Sequence, residues 1–155
     1  MNDPNPTSLP LKSDGSISKI WFADNSEDIE LPFFDTKVQA GFPSPAEDHL
    51  EQRLDLNTLV IKNPSATFFV RVAGESMKDV GITDGDILVV DRSIENWENR
   101  IVVAVIDSEF TIKRFTTKQG TVILEAENPN YPSIKIMPEM DFSVWGVVRW
   151  TLKKL

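Results

Sequence analysis

The chain has 155 residues and a mass of 17.5 kDa, with 16 basic against 24 acidic side chains, no cysteine and one histidine, His49. A domain of that size holds an apolar core without metals or disulfides. Its net charge of −8 disfavours the phosphates of DNA and anionic membranes, and the missing cysteine excludes thiol catalysis and cysteine-held zinc.

There is no apolar run of membrane length, and no basic start leading into an apolar segment. The expectation is a soluble, cytoplasmic protein whose catalysis would use hydroxyls, amines or carboxylates. Residues 1–19 read as disordered, being rich in proline, asparagine and serine without apolar periodicity. Ile20-Trp21-Phe22 and Leu31-Pro32-Phe33-Phe34 are apolar knots on either side of an acidic run, suited to docking on another surface. Residues 1–40 hold seven acidic and three basic side chains, a net of −4, so the rest of the chain carries the other −4. At Ala40-Gly41-Phe42-Pro43 the texture changes. Ser44-Pro45-Ala46-Glu47 is a capping box with proline at the first helical position, predicting a short helix over 45–53. A further turn is expected over Leu56–Ile61, stopped by Asn63-Pro64-Ser65.

From Ala66 onward the pattern is strand-like. Residues 67–72 place Phe68, Val70 and Val72 on one face. The turn Asp84-Gly85-Asp86 leads into 87–90, and Asp107-Ser108 separates 101–106 from 109–115 at hairpin spacing. Strands are also expected at 121–126, 133–137 and 143–150, the first two separated by the loop Asn128-Pro129-Asn130-Tyr131-Pro132. The prediction is therefore a mostly β fold of antiparallel strands, with one or two short N-terminal helices and a flexible N-terminal arm. No internal repeat is present.

Ser76 lies in Ala73-Gly74-Glu75-Ser76-Met77, just after a strand and a glycine, where a sharp turn can present a hydroxyl beside free backbone N–H groups. The same arrangement also suits an ordinary capping serine. In Glu109-Phe110-Thr111-Ile112-Lys113-Arg114-Phe115, alternation puts Lys113 and Arg114 on opposite faces, and one of them should meet an interior or cleft. A lysine base must be neutral, and at its reference pKa of about 10.4 it is almost wholly charged at pH 7 unless its surroundings favour the free amine. His49, beside Asp48 and Glu47 near a helix start, reads as a surface residue. Asp84, Asp86 and Asp91 read as turn residues rather than metal ligands. Trp97, Trp145 and Trp150 are expected in the β core, the alternative being a dimer face.

Together these segments resemble the LexA/UmuD family of self-cleaving serine peptidases (peptidase S24), and most closely its UmuD branch. The resemblance is carried in order by Val38-Gln39-Ala40-Gly41-Phe42-Pro43-Ser44-Pro45, Glu51-Gln52-Arg53-Leu54-Asp55-Leu56-Asn57, Pro64-Ser65-Ala66-Thr67-Phe68-Phe69-Val70, Gly74-Glu75-Ser76-Met77, Gly81-Ile82-Thr83-Asp84-Gly85-Asp86, Glu109-Phe110-Thr111-Ile112-Lys113 and Phe142-Ser143-Val144-Trp145-Gly146-Val147-Val148. The interval of 37 residues between Ser76 and Lys113 is the family's own.

The resemblance implies Ser76 as nucleophile and Lys113 as general base. It implies the backbone N–H groups of Ser76 and Glu75 as oxyanion donors, and Ala40-Gly41 as the bond cut in the chain's own arm. Residues 1–40 would be released, leaving 41–155 as a β-rich catalytic and dimerisation domain. It further implies activation by a RecA filament on single-stranded DNA, a homodimeric product, and partnership with a UmuC-like Y-family polymerase in translesion synthesis during the SOS response. No cofactor, metal, membrane or sequence-specific DNA contact is implied. The alternative is a relative of LexA and phage repressors that lacks its own DNA-binding domain and regulates transcription through protein partners. Only 40 residues, with a net charge of −4, precede the expected cut, too few and of the wrong sign for a helix-turn-helix domain. Two features depart from the family pattern. Asn99-Arg100 stands where Gly-Asp is usual, and the arm is longer by roughly residues 1–16.

Overall fold

The structure, a computed structural model, describes residues 12–23, 30–33 and 52–155. The chain divides into two compact units, residues 1–23 with 63–155, and residues 24–62.

In the smaller unit β2 (Glu30–Phe33) pairs antiparallel with β3 (Gln52–Asp55), with Leu31 opposite Leu54. Helix α1 (Leu56–Val60) follows, capped by Asp55, whose carboxylate accepts the Asn57 and Thr58 N–H groups. This corrects the end of the expected 45–53 helix. Gln52 and Arg53 are strand residues because they pair with Phe33 and Pro32, and helix begins only where Asp55 can cap it. The capping box, His49 and the Ala40-Gly41 bond lie outside the described residues.

The larger unit is one eight-stranded antiparallel sheet, ordered β1-β4-β5-β10-β6-β7-β8-β9. Its strands are β1 (Ile17–Phe22), β4 (Thr67–Val72), β5 (Ile87–Asp91), β6 (Ile101–Ile106), β7 (Glu109–Lys118), β8 (Thr121–Glu125), β9 (Ile134–Lys135) and β10 (Phe142–Leu152). Alternation along the strands gives two apolar clusters. One gathers Ile17, Ile20, Phe68, Val70, Leu88, Val103 and Ile112, and the other gathers Val102, Ala104, Phe115, Leu124 and Val147. The β6–β7 hairpin turns at Asp107 and Ser108, both with positive φ (47° and 70°), which suits the twist of a two-residue hairpin.

Strand β10 lies between β5 and β6 and so joins the half of the sheet that leads to Ser76 to the half that carries Lys113. A Cβ on Gly146 would stand 2.8 Å from Val90 Cγ1 and 2.9 Å from the Asp91 carbonyl oxygen. Only glycine lets these strands approach so closely.

Disorder through residue 19 is corrected for the described part of the arm. Ile17 and Ile20 are buried in the first cluster, β1 pairs with β4, and Ser13 bridges to Phe110. Partners some fifty to a hundred residues away supply this order, so no local pattern could announce it. Trp97 and Trp145 are half-buried as expected, with Trp145 edge-on to Phe68 and Phe110. Trp150 is instead 40% exposed, near the end of β10.

Candidate active site

Ser76 follows β4 in a turn opened by Gly74, whose φ of 75° is left-handed. The turn is fastened from three directions. Met77 is buried in the first apolar cluster, the Gly74 N–H donates to Asp84, and the buried Asn128 side chain donates to the Glu75 carbonyl oxygen at 2.9 Å. Asn128 also accepts from the Asn130 N–H, and the Asp79 N–H donates to the Glu127 carbonyl oxygen. The loop after β8 therefore holds the Ser76 turn in place.

Lys113 projects from the middle of β7 and is 4% exposed, while Ser76 is 6% exposed. Strand alternation left open which basic residue meets the interior; the structure gives that place to Lys113. Arg114 is half-buried, binding the Glu127 carboxylate and the Asn99 carbonyl oxygen. Ser76 and Lys113 line one cleft of about 280 Å³ together with Asp14, Gly15, Ser16, Ala73, Gly74, Glu75 and Tyr131.

The Lys113 ammonium donates to Thr111 Oγ1 at 2.9 Å, to the Ile112 carbonyl oxygen at 3.0 Å and to Asp14 Oδ2 at 3.2 Å. Those three bonds use all of its protons. The Asp14 carboxylate also accepts from Thr111 Oγ1 at 2.6 Å and from both the Oγ and N–H of Ser16. Burial pushes the Asp14 carboxyl up, but the Ser16 and Thr111 hydrogen bonds and the Lys113 charge outweigh it and hold it below the usual carboxylate range. Asp14, Thr111, Asn128 and Tyr131 escaped the sequence reading. Asn128 had one signal, a loop asparagine between strands, whereas Asp14 had none.

The acidic residues read as turn formers do structural work. Asp84 holds Gly74, Asp91 caps Ser93, and Asp86 takes Lys153 and the Thr83 N–H. Among the described residues no cluster of histidine and carboxylate groups could hold a metal ion, and no helix is long and apolar enough to cross a membrane. At the Asn99 departure the backbone is left-handed (φ 58°), a conformation asparagine tolerates better than most residues. Asparagine in place of the usual glycine thus leaves the turn before β6 intact.

The family profile described as Peptidase S24-like matches residues 32–149. Protein SamA of Salmonella typhimurium is 45% identical over 117 residues, covering 76% of this chain and 81% of that protein. Protein MucA of Escherichia coli is 42% identical over 123 residues, covering 79% and 84%. The LexA repressor of Pseudoalteromonas atlantica is 38% identical over 140 residues, covering 90% of this chain and 67% of the repressor. With this match over most of its length, and a hydroxyl and an amine meeting in one cleft of a β fold, the chain belongs to the Peptidase S24-like family of self-cleaving serine peptidases, among its UmuD-like members.

Proposed function

We propose that the protein cuts its own Ala40-Gly41 bond with a Ser76–Lys113 dyad, and that the product, residues 41–155, acts as a homodimeric accessory subunit of a Y-family translesion polymerase in the cytoplasm. Its standing among UmuD-like proteins gives it an accessory role in SOS mutagenesis. The observation that carries the catalytic reading is the meeting of Ser76 and Lys113 in one cleft, with the lysine almost wholly removed from water.

Neutral Lys113 takes the Ser76 hydroxyl proton while Oγ attacks the Ala40 carbonyl carbon. Charge on the carbonyl oxygen is received by the Ser76 and Glu75 N–H groups. Lys113, now an ammonium, returns its proton to the Gly41 nitrogen as the C–N bond breaks. Water then hydrolyses the Ala40 ester on Ser76, with Lys113 again as base. One product ends in a carboxylate at Ala40, and the other begins with an amine at Gly41. Stimulation by a RecA filament on single-stranded DNA supplies the damage signal in this reading.

The test is incubation of the purified full chain near pH 10, and separately near neutral pH with RecA, ATP and single-stranded DNA. Wild-type should split near residue 40 under both conditions, while Ser76→Ala and Lys113→Ala stay whole. An intact wild-type band under both conditions contradicts the proposal. Specific binding of operator DNA by the full chain would favour the repressor-like alternative.

A further inference from the structure

Residues 12–16 lie N-terminal to the matched family region, 32–149, yet Asp14, Gly15 and Ser16 form one wall of the cleft that holds Ser76 and Lys113. They lie between two strand borders, bridging to β7 at Ser13 and then bending over Asp14–Ser16, with Gly15 in the left-handed region (φ 91°). On the β7 side, ahead of the point where β8 begins to pair at Arg114, the Phe110 N–H donates to the Lys12 carbonyl oxygen at 2.9 Å. On the same side the Asp14 N–H donates to the Phe110 carbonyl oxygen at 3.0 Å, and the Ile112 N–H to Ser16 Oγ at 3.1 Å. On the other side the Ala73 N–H, three residues before Ser76, donates to the Ser16 carbonyl oxygen at 2.9 Å. The segment thus bonds to both borders, through one parallel bridge at Ser13–Phe110, the Ser16 hydroxyl on β7 and the Ser16 carbonyl on Ala73. Gly15 places its carbonyl oxygen 3.7 Å from where a Cβ on Gly74 would stand, so the two backbones nearly touch.

We infer that Lys12–Ser16 is a built-in pseudosubstrate: it occupies the peptide groove of the catalytic cleft, and Asp14 keeps the base charged until the segment leaves. The inference rests on the Ser76–Lys113 reading above. A carboxylate at hydrogen-bond distance favours the ammonium form of lysine, the form that cannot accept the serine proton. Asp14, Thr111 and the Ile112 carbonyl occupy all three ammonium donors, so none is directed to Ser76. The other titratable groups lining the cleft are Glu75 and Tyr131. Opposite Lys113 the neighbouring strand β6 carries Val102, and the Arg114–Glu127 pair belongs to the opposite strand face. Asp14 is therefore the anion that bonds to the base. A segment in this position also excludes the Ala40-Gly41 strand from the same groove. The two peptides compete, and an activator acts by favouring the second.

The experiment compares self-cleavage of full-length wild-type, Asp14→Asn and Asp14→Lys from pH 7 to 11, with products identified by intact mass. Amide exchange at Phe110, Ile112 and Ala73 is followed in the same proteins, each held uncut by Ser76→Ala. Both variants free the Lys113 amine of its carboxylate partner, so both should cut about tenfold faster than wild-type near pH 7.5. The curves should converge toward pH 11, a pattern that a merely structural role would not give. Asp14→Lys should also lose exchange protection at the three amides, and a synthetic peptide of residues 12–18 should slow it again. Equal rates for wild-type and both variants at neutral pH overturn the inference, as does cutting inside residues 12–16. If no protein cuts at any pH or with the RecA filament, the dyad reading falls. Unchanged exchange in Asp14→Lys would then separately overturn the occupancy of the groove, and lost protection would uphold it.

Discussion

Replacing Gly146 by alanine perturbs the joint between the two halves of the sheet. Strand β10 bulges between Val144 and Gly146 against β6, then pairs Val147 with Asp91 of β5. A Cβ there meets Val90 Cγ1 at 2.8 Å, the Asp91 carbonyl oxygen at 2.9 Å and the Asp91 carbonyl carbon at 3.1 Å. Two of these three atoms are backbone in a paired strand and cannot rotate away. Overpacking costs typically about 1–3 kcal/mol, and an unyielding backbone puts this case near the upper end, about 3 kcal/mol. For a chain of this length that lowers Tm by about 10 °C. Because the wedge separates the strands leading to Ser76 from those carrying Lys113, self-cleavage at pH 10 and 25 °C should fall by about ten- to a hundredfold. Thermal melts in a Ser76→Ala background and cleavage rates in the otherwise native chain measure the two effects. Leu124→Ala is the control. This fully buried side chain in β8 is three strands from β10 in the sheet order, and its truncation should cost about 2–5 kcal/mol while leaving cleavage within a factor of three. A Gly146→Ala protein melting within 2 °C of its parent, or cutting at the parent's rate, would refute the reasoning.

Asn128→Ala removes the amide that holds the Glu75 carbonyl oxygen and should cost about 1–2 kcal/mol. It should also slow self-cleavage by more than the fraction unfolded explains, measured by melt and by rate on one preparation. Lys153→Met strips the cation from the buried Asp86 carboxylate. Because Lys153 is itself partly exposed, the expected loss is about 1–2 kcal/mol rather than that of a fully buried pair. Burial pushes the Asp86 carboxyl up, but Lys153 and Thr83 together hold it below its ordinary value. A carboxyl depressed in the folded state contributes stability that is complete above its unfolded pKa of about 3.9, and lost as pH falls through the folded value. The gap between wild-type and Lys153→Met in urea melts should therefore be constant from pH 7 to 5 and shrink below pH 4. A gap that widens on acidification contradicts the assignment.

The strand positions from Thr67 onward were legible because alternating or short apolar runs are separated by turns with their own chemistry, as at Asp84-Gly85-Asp86 and Asp107-Ser108. Ser76 and Lys113 were singled out through the family resemblance, because a Gly-Glu-Ser turn also suits a capping serine and strand alternation left Lys113 and Arg114 open. Asp14 was not. It is one acidic residue in a polar, proline-rich stretch, and its role depends on Thr111 and Lys113, close to a hundred residues away. The same holds for β1, whose Ile17 and Ile20 gain a core only once β4 is in place. Burying two isoleucines favours the docked state by about 3–6 kcal/mol before ordering entropy is subtracted. The acidic arm is thus a strand of the sheet as well as a carrier of charge. A cut at residue 40, as proposed, would sever the arm's covalent link but leave these contacts to be broken separately. Trp150 shows the opposite case, an aromatic in a regular strand pattern that ends beyond the core.

The most direct test of the Ser76–Lys113 account is the intact mass of full-length Lys113→Arg after incubation at pH 10 beside wild-type. Arginine keeps a positive charge and much of the length of lysine, but it does not surrender its proton in the accessible range. Wild-type should yield two fragments divided between Ala40 and Gly41, and Lys113→Arg should yield only the uncut chain. The same two fragments from Lys113→Arg at the wild-type rate would place the base elsewhere and contradict the account.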